Sequence, residues 1–164
     1  MADNSRDMFL KVTTSSGAIK GESADKKHVG EIDILGWSWG MSASHSVPTR
    51  GAGRATMNEL HVQKSADSAT VALMKALRHN ELVKKAELTV RKAGKTQHEY
   101  LKITLENGRI TNMDIATVTD EAVPSVVEKW SFSFQRINVE YVPQGPDGQP
   151  RGGMSFEAET AAAS

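Results

Sequence analysis

The sequence contains no cysteine. It therefore has no disulfide, no thiolate metal ligand and no cysteine nucleophile. It has no surplus of charge of either sign: twenty Lys and Arg balance twenty Asp and Glu. A protein that grips nucleic acid by its phosphates needs a basic surface, and so does one held on anionic lipid, so neither partner is expected. No apolar run approaches the length of a membrane span, so no membrane insertion is expected either. The opening stretch MADNSRDMFLKV is charged and lacks the apolar core of a secretory signal. A cytoplasmic start is expected, and any export should proceed without a cleaved signal peptide. Aromatic residues make up only 5% of the chain, so the places where they gather carry weight. The 164 residues suit one domain with a respectable core.

Two of the three tryptophans gather in Glu31–Met41, EIDILGWSWGM. Alternate side chains of a strand point the same way. Leu35, Trp37, Trp39 and Met41 are therefore predicted to share the core face. Gly36, Ser38 and Gly40 share the other, which is nearly bare and must meet solvent, a cavity or another backbone. Ile32 and Ile34 fall on the opposite parity. That conflict predicts either a phase reset near Leu35 or a strand covered on both sides.

The rest of the chain reads as a barrel or sandwich built against this segment. Met8–Thr13 is a short strand with Met8, Leu10 and Val12 on one face. Ala43–Thr56 is polar, contains Pro48, and is too long for a tight hairpin, which predicts a loop that docks on a neighbour. Its Gly51-Ala52-Gly53-Arg54 resembles a phosphate cradle, but a strand-like segment follows where the cradle needs a helix start. Asn58–Gln63 is a strand with Leu60 and Val62 inward and His61 outward. Ser68–His79 is the one convincing helix, with Ala69, Leu73, Ala76 and Leu77 in a stripe and Val71 off it. Ala86–Val90 and Glu99–Leu105 alternate as a hairpin, and Asn107-Gly108 signals a tight turn before Ile110. Arg109–Val118 alternates poorly, which predicts a bulge. Val126–Phe134 alternates well, and the parity flips from Ile137, which predicts a kink near Gln135 and Arg136 at a corner. From Pro143 onward Pro, Gly and Ala dominate, which predicts a tail that a partner orders.

Side chains of catalytic type do not fall into a pattern. The histidines His28, His45, His61, His79 and His98 show no HxxxH or HExxH spacing, and no serine sits in a GxSxG elbow. No metal and no cofactor are expected. The residues by themselves describe a β-rich domain with one helix, more suited to binding or assembly than to catalysis. Two rivals stand: a monomeric small-ligand-binding β-barrel, and a hydrolase using scattered histidines and carboxylates.

Three stretches together resemble one family, the haemolysin-coregulated proteins (Hcp) of type VI secretion systems. They are MFLKV with IKGES, ADKKH and EIDILGWSWGM, then LTVRKAG with YLKITLENGRI, then FSFQRINVEYVPQGPDG. They run in order from Met8 to Gly148, with the helix between the first and second. The resemblance implies a mainly β fold: a small β-barrel of two packed sheets with one flanking α-helix, similar to phage tail-tube proteins. It divides the chain into a barrel domain, 1–142, and a C-terminal tail, 143–164, too short for an independent enzyme domain.

The resemblance also implies a tube subunit rather than an enzyme. Hexameric rings stack into a hollow tube that a contractile sheath drives outward, with a spike at the tip and a baseplate beneath. Small effector proteins ride in the lumen. On this reading Gly36, Ser38 and Gly40 line the channel, and the loop carrying Ser46, Pro48, Arg50 and Arg54 reaches the next ring.

Overall fold

The computed structural model describes residues 7–43, 55–92, 97–119 and 122–160. The elements in chain order are β1 (Met8–Thr14), β2 (Gly17–Ile19), β3 (Ile32–Asp33), β4 (Gly36–Ser38), β5 (Met41–Ser42), β6 (Thr56–Met57), β7 (Leu60–Ser65), α1 (Thr70–Arg78), β8 (Val83–Arg91), β9 (Glu99–Gly108), β10 (Ile110–Val118), β11 (Ser125–Phe132), β12 (Arg136–Tyr141) and β13 (Met154–Glu159). A large antiparallel sheet runs β13-β12-β9-β8-β1-β2, with β3 also paired to β1. A second sheet of four strands runs β10-β11-β7-β4. The two pack face to face around one core that includes Leu10, Val12, Ile32, Leu60, Leu73, Leu88, Ile103, Trp130 and Phe132. The fold is mainly β, in two packed sheets with one short helix, as expected, but the sheets do not close into a barrel.

Besides the passage through α1 from β7 to β8, three crossings between the sheets each explain a parity conflict in the sequence. At Ile34 the backbone N–H still donates to Met8 of β1, and at Leu35 it donates to Gln63 of β7. The phase resets there because the strand leaves one sheet for the other. Ile32 and Ile34 are consequently the buried residues, while Leu35 and Met41 are 41% and 48% exposed. This corrects the four-residue core face expected above: only Trp37 and Trp39 of that set pack against the core, and both are half-buried.

The second crossing is at Gly108. Asn107 takes a left-handed φ of 53°, but β9 and β10 do not form a hairpin. β9 pairs with β8 and β12, whereas β10 pairs with β11. The turn signal marks a corner instead. A Cβ on Gly108 would lie 1.9 Å from the Ser133 carbonyl oxygen, so only glycine fits. The third crossing, at residues 133–135, carries β11 into β12 past the same corner. The bulge expected in Arg109–Val118 lies between Ile110 and Asn112.

Three further expectations need correction. Phe9, on the solvent parity of β1, is buried. The His28 ring stacks on it at 4.3 Å and the Arg91 guanidinium lies 4.9 Å from its centroid. The helix starts at Thr70 rather than Ser68. Asp67 Oδ1 accepts the Ala69 N–H at 2.9 Å, and Glu22 accepts the Ser68 N–H at 2.6 Å. Finally, residues 154–159 are not a tail waiting for a partner. They pair along β12 from Arg136↔Glu159 to Tyr141↔Met154 and form the edge of the large sheet.

Candidate functional site

The outward face of the four-stranded sheet is where the sequence places its small-residue stripe. Three cross-strand rows define it. Met113, Trp130, Val62 and Trp37 lie opposite one another and point to the core side. The rows on either side alternate outward. One runs Asn112, Ser131, His61, Ser38 and the other runs Asp114, Lys129, Gln63, Gly36. These eight residues line an open trough of about 780 Å³.

Gly36 and Ser38 sit together at the β4 end of the trough. A Cβ added at Gly36 would meet nothing within 4 Å, so the wall there is smooth and open. Gly40 does not join them. It lies beyond β4, where its carbonyl accepts the Asn58 N–H at 2.9 Å. The neighbouring Trp39 Nε1 donates to the Asn58 carbonyl at 2.8 Å. The other expected site residues, Ser46, Pro48, Arg50 and Arg54, lie outside the described residues. The base of their loop is described: β5 and β6 pair antiparallel, Met41↔Met57 and Ser42↔Thr56.

The trough also holds residues not singled out from the sequence. His61 Nδ1 and Ser131 Oγ are 2.7 Å apart. Lys129 and Asp114 oppose each other across β11 and β10, so one charge of each sign faces outward beside neutral hydrogen-bonding groups. The outward parity of His61 was legible. Its place beside Ser38 and Ser131 required the strand order. Among the described residues no group of three His, Asp or Glu side chains could hold a metal ion. This face offers hydrogen-bonding groups together with one charge of each sign.

Two buried charge clusters hold the scaffold, the first beneath this sheet. Lys64 Nζ lies 2.9 Å from Glu128 Oε1 and 2.8 Å from Asp67 Oδ1. The Trp130 indole and the Thr70 hydroxyl also donate to Glu128, at 2.8 and 2.7 Å. Burial pushes the Glu128 carboxyl up, but the hydrogen bonds from Thr70, Lys64 and Trp130 outweigh it and leave the group below its ordinary value. On the outer face of the large sheet, beside Phe9, Arg91 binds Asp25 at 2.5 Å and Asp7 at 3.1 Å. The Arg91 hydrogen bond draws the Asp25 carboxyl down to about 2. The two ring nitrogens of His28 reach Glu31 at 2.8 Å and Glu99 at 2.6 Å. The motif residues Glu22, Asp25 and His28 are thus fasteners of the loop between β2 and β3.

These features define an antiparallel two-sheet domain with an open polar face and outer strands that pair on one side only. The comparisons give the family. The model of the family described as "Type VI secretion system effector, Hcp" matches residues 9–141, and the chain belongs to that family of type VI secretion tube proteins. It is 39% identical over 151 residues to protein hcp1 of Pseudomonas aeruginosa, covering 90% of each chain. The fold matches a type VI secretion system effector from Yersinia pestis with a TM-score of 0.73 at 28% identity, over 94% of this chain and 100% of that one. It matches Hcp1 from Salmonella typhimurium with a TM-score of 0.71 at 26% identity, over 93% and 94%.

Proposed function

We propose that the chain is the ring-forming subunit of a type VI inner tube. Hexameric rings stack into a hollow tube, the trough face of the four-stranded sheet lines the bore, and small effector proteins are carried there and secreted with the tube. The observation that carries this is the outward row of Ser38, His61 and Ser131 beside Gly36. It forms a polar, shallow wall on a sheet whose outer strands, β4 and β10, pair on one side only. Copies joined head to tail through those strands make a closed cylinder with this face inside.

The remaining components follow from the same reading. A contractile sheath and baseplate act from outside and below, and a spike caps the tip. The loop carrying Ser46, Pro48, Arg50 and Arg54 reaches from ring to ring. Export starts in the cytoplasm and proceeds with the tube. The role is structural and carrier rather than enzymatic. Among the described residues no helix is long and apolar enough to cross a membrane.

Light scattering on the full chain tests the assembly, since a hexamer runs at about six times the 17.8 kDa of one chain. Averaged electron micrographs should show rings with a central hole. Ser38→Gln then tests the wall: rings form as before while effector retention changes. Unchanged retention in intact rings removes Ser38 from the cargo surface. A monomeric ligand-binding barrel would instead run as one chain at every concentration.

A further inference from the structure

The edges of the large sheet carry a second message. β13 at one edge leaves Met154 64% and Phe156 42% exposed. Both lie on the core-facing side of the sheet, opposite Tyr141 and Val139 in the row that leads to buried Ile137. They extend the apolar face past the point where the second sheet covers it. At the other edge, β2 and α1 border a groove lined by Ala18, Ile19, Lys20, Ala72 and Lys75 among others. Val71, the helix residue off the apolar stripe, stands beside Ala72 and is 59% exposed. An exposed apolar strand and an exposed apolar helix face thus sit at opposite ends of one sheet.

We infer that β13 of one copy seats against β2 and α1 of the next, so that the large sheet continues from copy to copy. The occupant is a second copy of this chain. Strand direction supports it. Five antiparallel pairings separate β13 from β2, so the two edges run in opposite directions. A neighbour in the same orientation then brings its β13 antiparallel to β2, continuing the alternation.

Side-chain parity agrees as well. Ile19 pairs with Val12 on the core face, so Met154 and Phe156 of the arriving strand come down on the same side, toward Ala72 in the groove, with Val71 exposed at the adjoining position of the helix. Charge does not oppose the contact. β13 carries Glu157 and Glu159 and no basic residue, and both lie on the face away from Met154 and Phe156, where Glu157 already meets Arg136 at 2.9 Å. Lys20, next after core-facing Ile19 at the groove, is the cation within reach of Glu159 in the arriving strand. The contact joins two different surfaces, as closure into a ring demands. It also covers two strand edges that would otherwise invite indiscriminate pairing.

This inference rests on the ring reading above, and one experiment separates their failures. Full-length wild type, Phe156→Asp and Val71→Asp are compared by light scattering across a concentration series, with thermal melts to confirm folding. Both positions are exposed in the single chain, so the melts of dilute protein should coincide. The expected result is that each variant needs at least about tenfold more protein to assemble than the wild type. Lys20→Glu and Glu159→Lys should each weaken assembly, and the two together should restore part of it. A wild type that assembles while Phe156→Asp and Val71→Asp assemble equally well overturns the β13 contact and leaves the ring reading standing. A wild type that stays single at all concentrations overturns both.

Discussion

Lys64 and Glu128 face each other across β7 and β11, Nζ 2.9 Å from Oε1, with both side chains fully buried. Removing one member leaves the other charged in the interior, which costs about 3–5 kcal/mol. Lys64→Met should therefore destabilise the fold by about that amount in urea unfolding. Lys64→Met combined with Glu128→Leu should recover part of it. Recovery stays partial because the Trp130 indole and the Thr70 hydroxyl lose their acceptor.

Acid sensitivity should trace to Asp25. Its folded pKa of about 2, lowered chiefly by the Arg91 hydrogen bond, lies below the unfolded aspartate value of about 3.9. Its contribution is present in full above the unfolded value and is lost as pH falls through the folded one. Asp25→Asn should lower stability at pH 7 and flatten the loss between about pH 4 and about pH 2. Urea midpoints at those three pH values check this, with the lowered Glu128 carboxyl adding slope in the same direction in both proteins.

The two glycines that frame the four-stranded sheet should behave oppositely. Gly108→Ala places a methyl 1.9 Å from the Ser133 carbonyl. The corner must open, and a melting point lower by about 10 °C or outright misfolding is expected. Gly36→Ala meets nothing within 4 Å and should change the melting temperature by no more than about 2 °C. It is thus a clean probe of the trough wall.

The three tryptophans should separate by quenching. Trp130 is buried, with its indole on Glu128, whereas Trp37 and Trp39 are half-buried. Acrylamide should quench the emission of Trp130→Phe more completely than that of the wild type. Equal quenching of the two would place Trp37 and Trp39 in the core, as simple alternation from Leu35 to Met41 had predicted.

Much of the fold was legible because period-two patterning follows directly from strand geometry. The alternation in Ala86–Val90 and the turn to opposite parity after Phe134 both appear where expected. What misled was the identity of the covering layer. Phe9 lies on the solvent parity of β1, yet His28 and Arg91, both distant in sequence, cover it. Lys64 and Glu128 are charged residues at inward positions, and neither signals burial until the other is found opposite it.

The sequence by itself determined the β-rich class, the lone helix, the absence of thiol chemistry and the family, through local residue order and periodicity. The tertiary structure decided which strands are neighbours. That choice turned Asn107-Gly108 from a hairpin into a corner and brought His61 and Ser131 beside Ser38. It also left Met154 and Phe156 uncovered at a sheet edge. Strand order depends on pairings between residues far apart in the chain, and no local pattern encodes them.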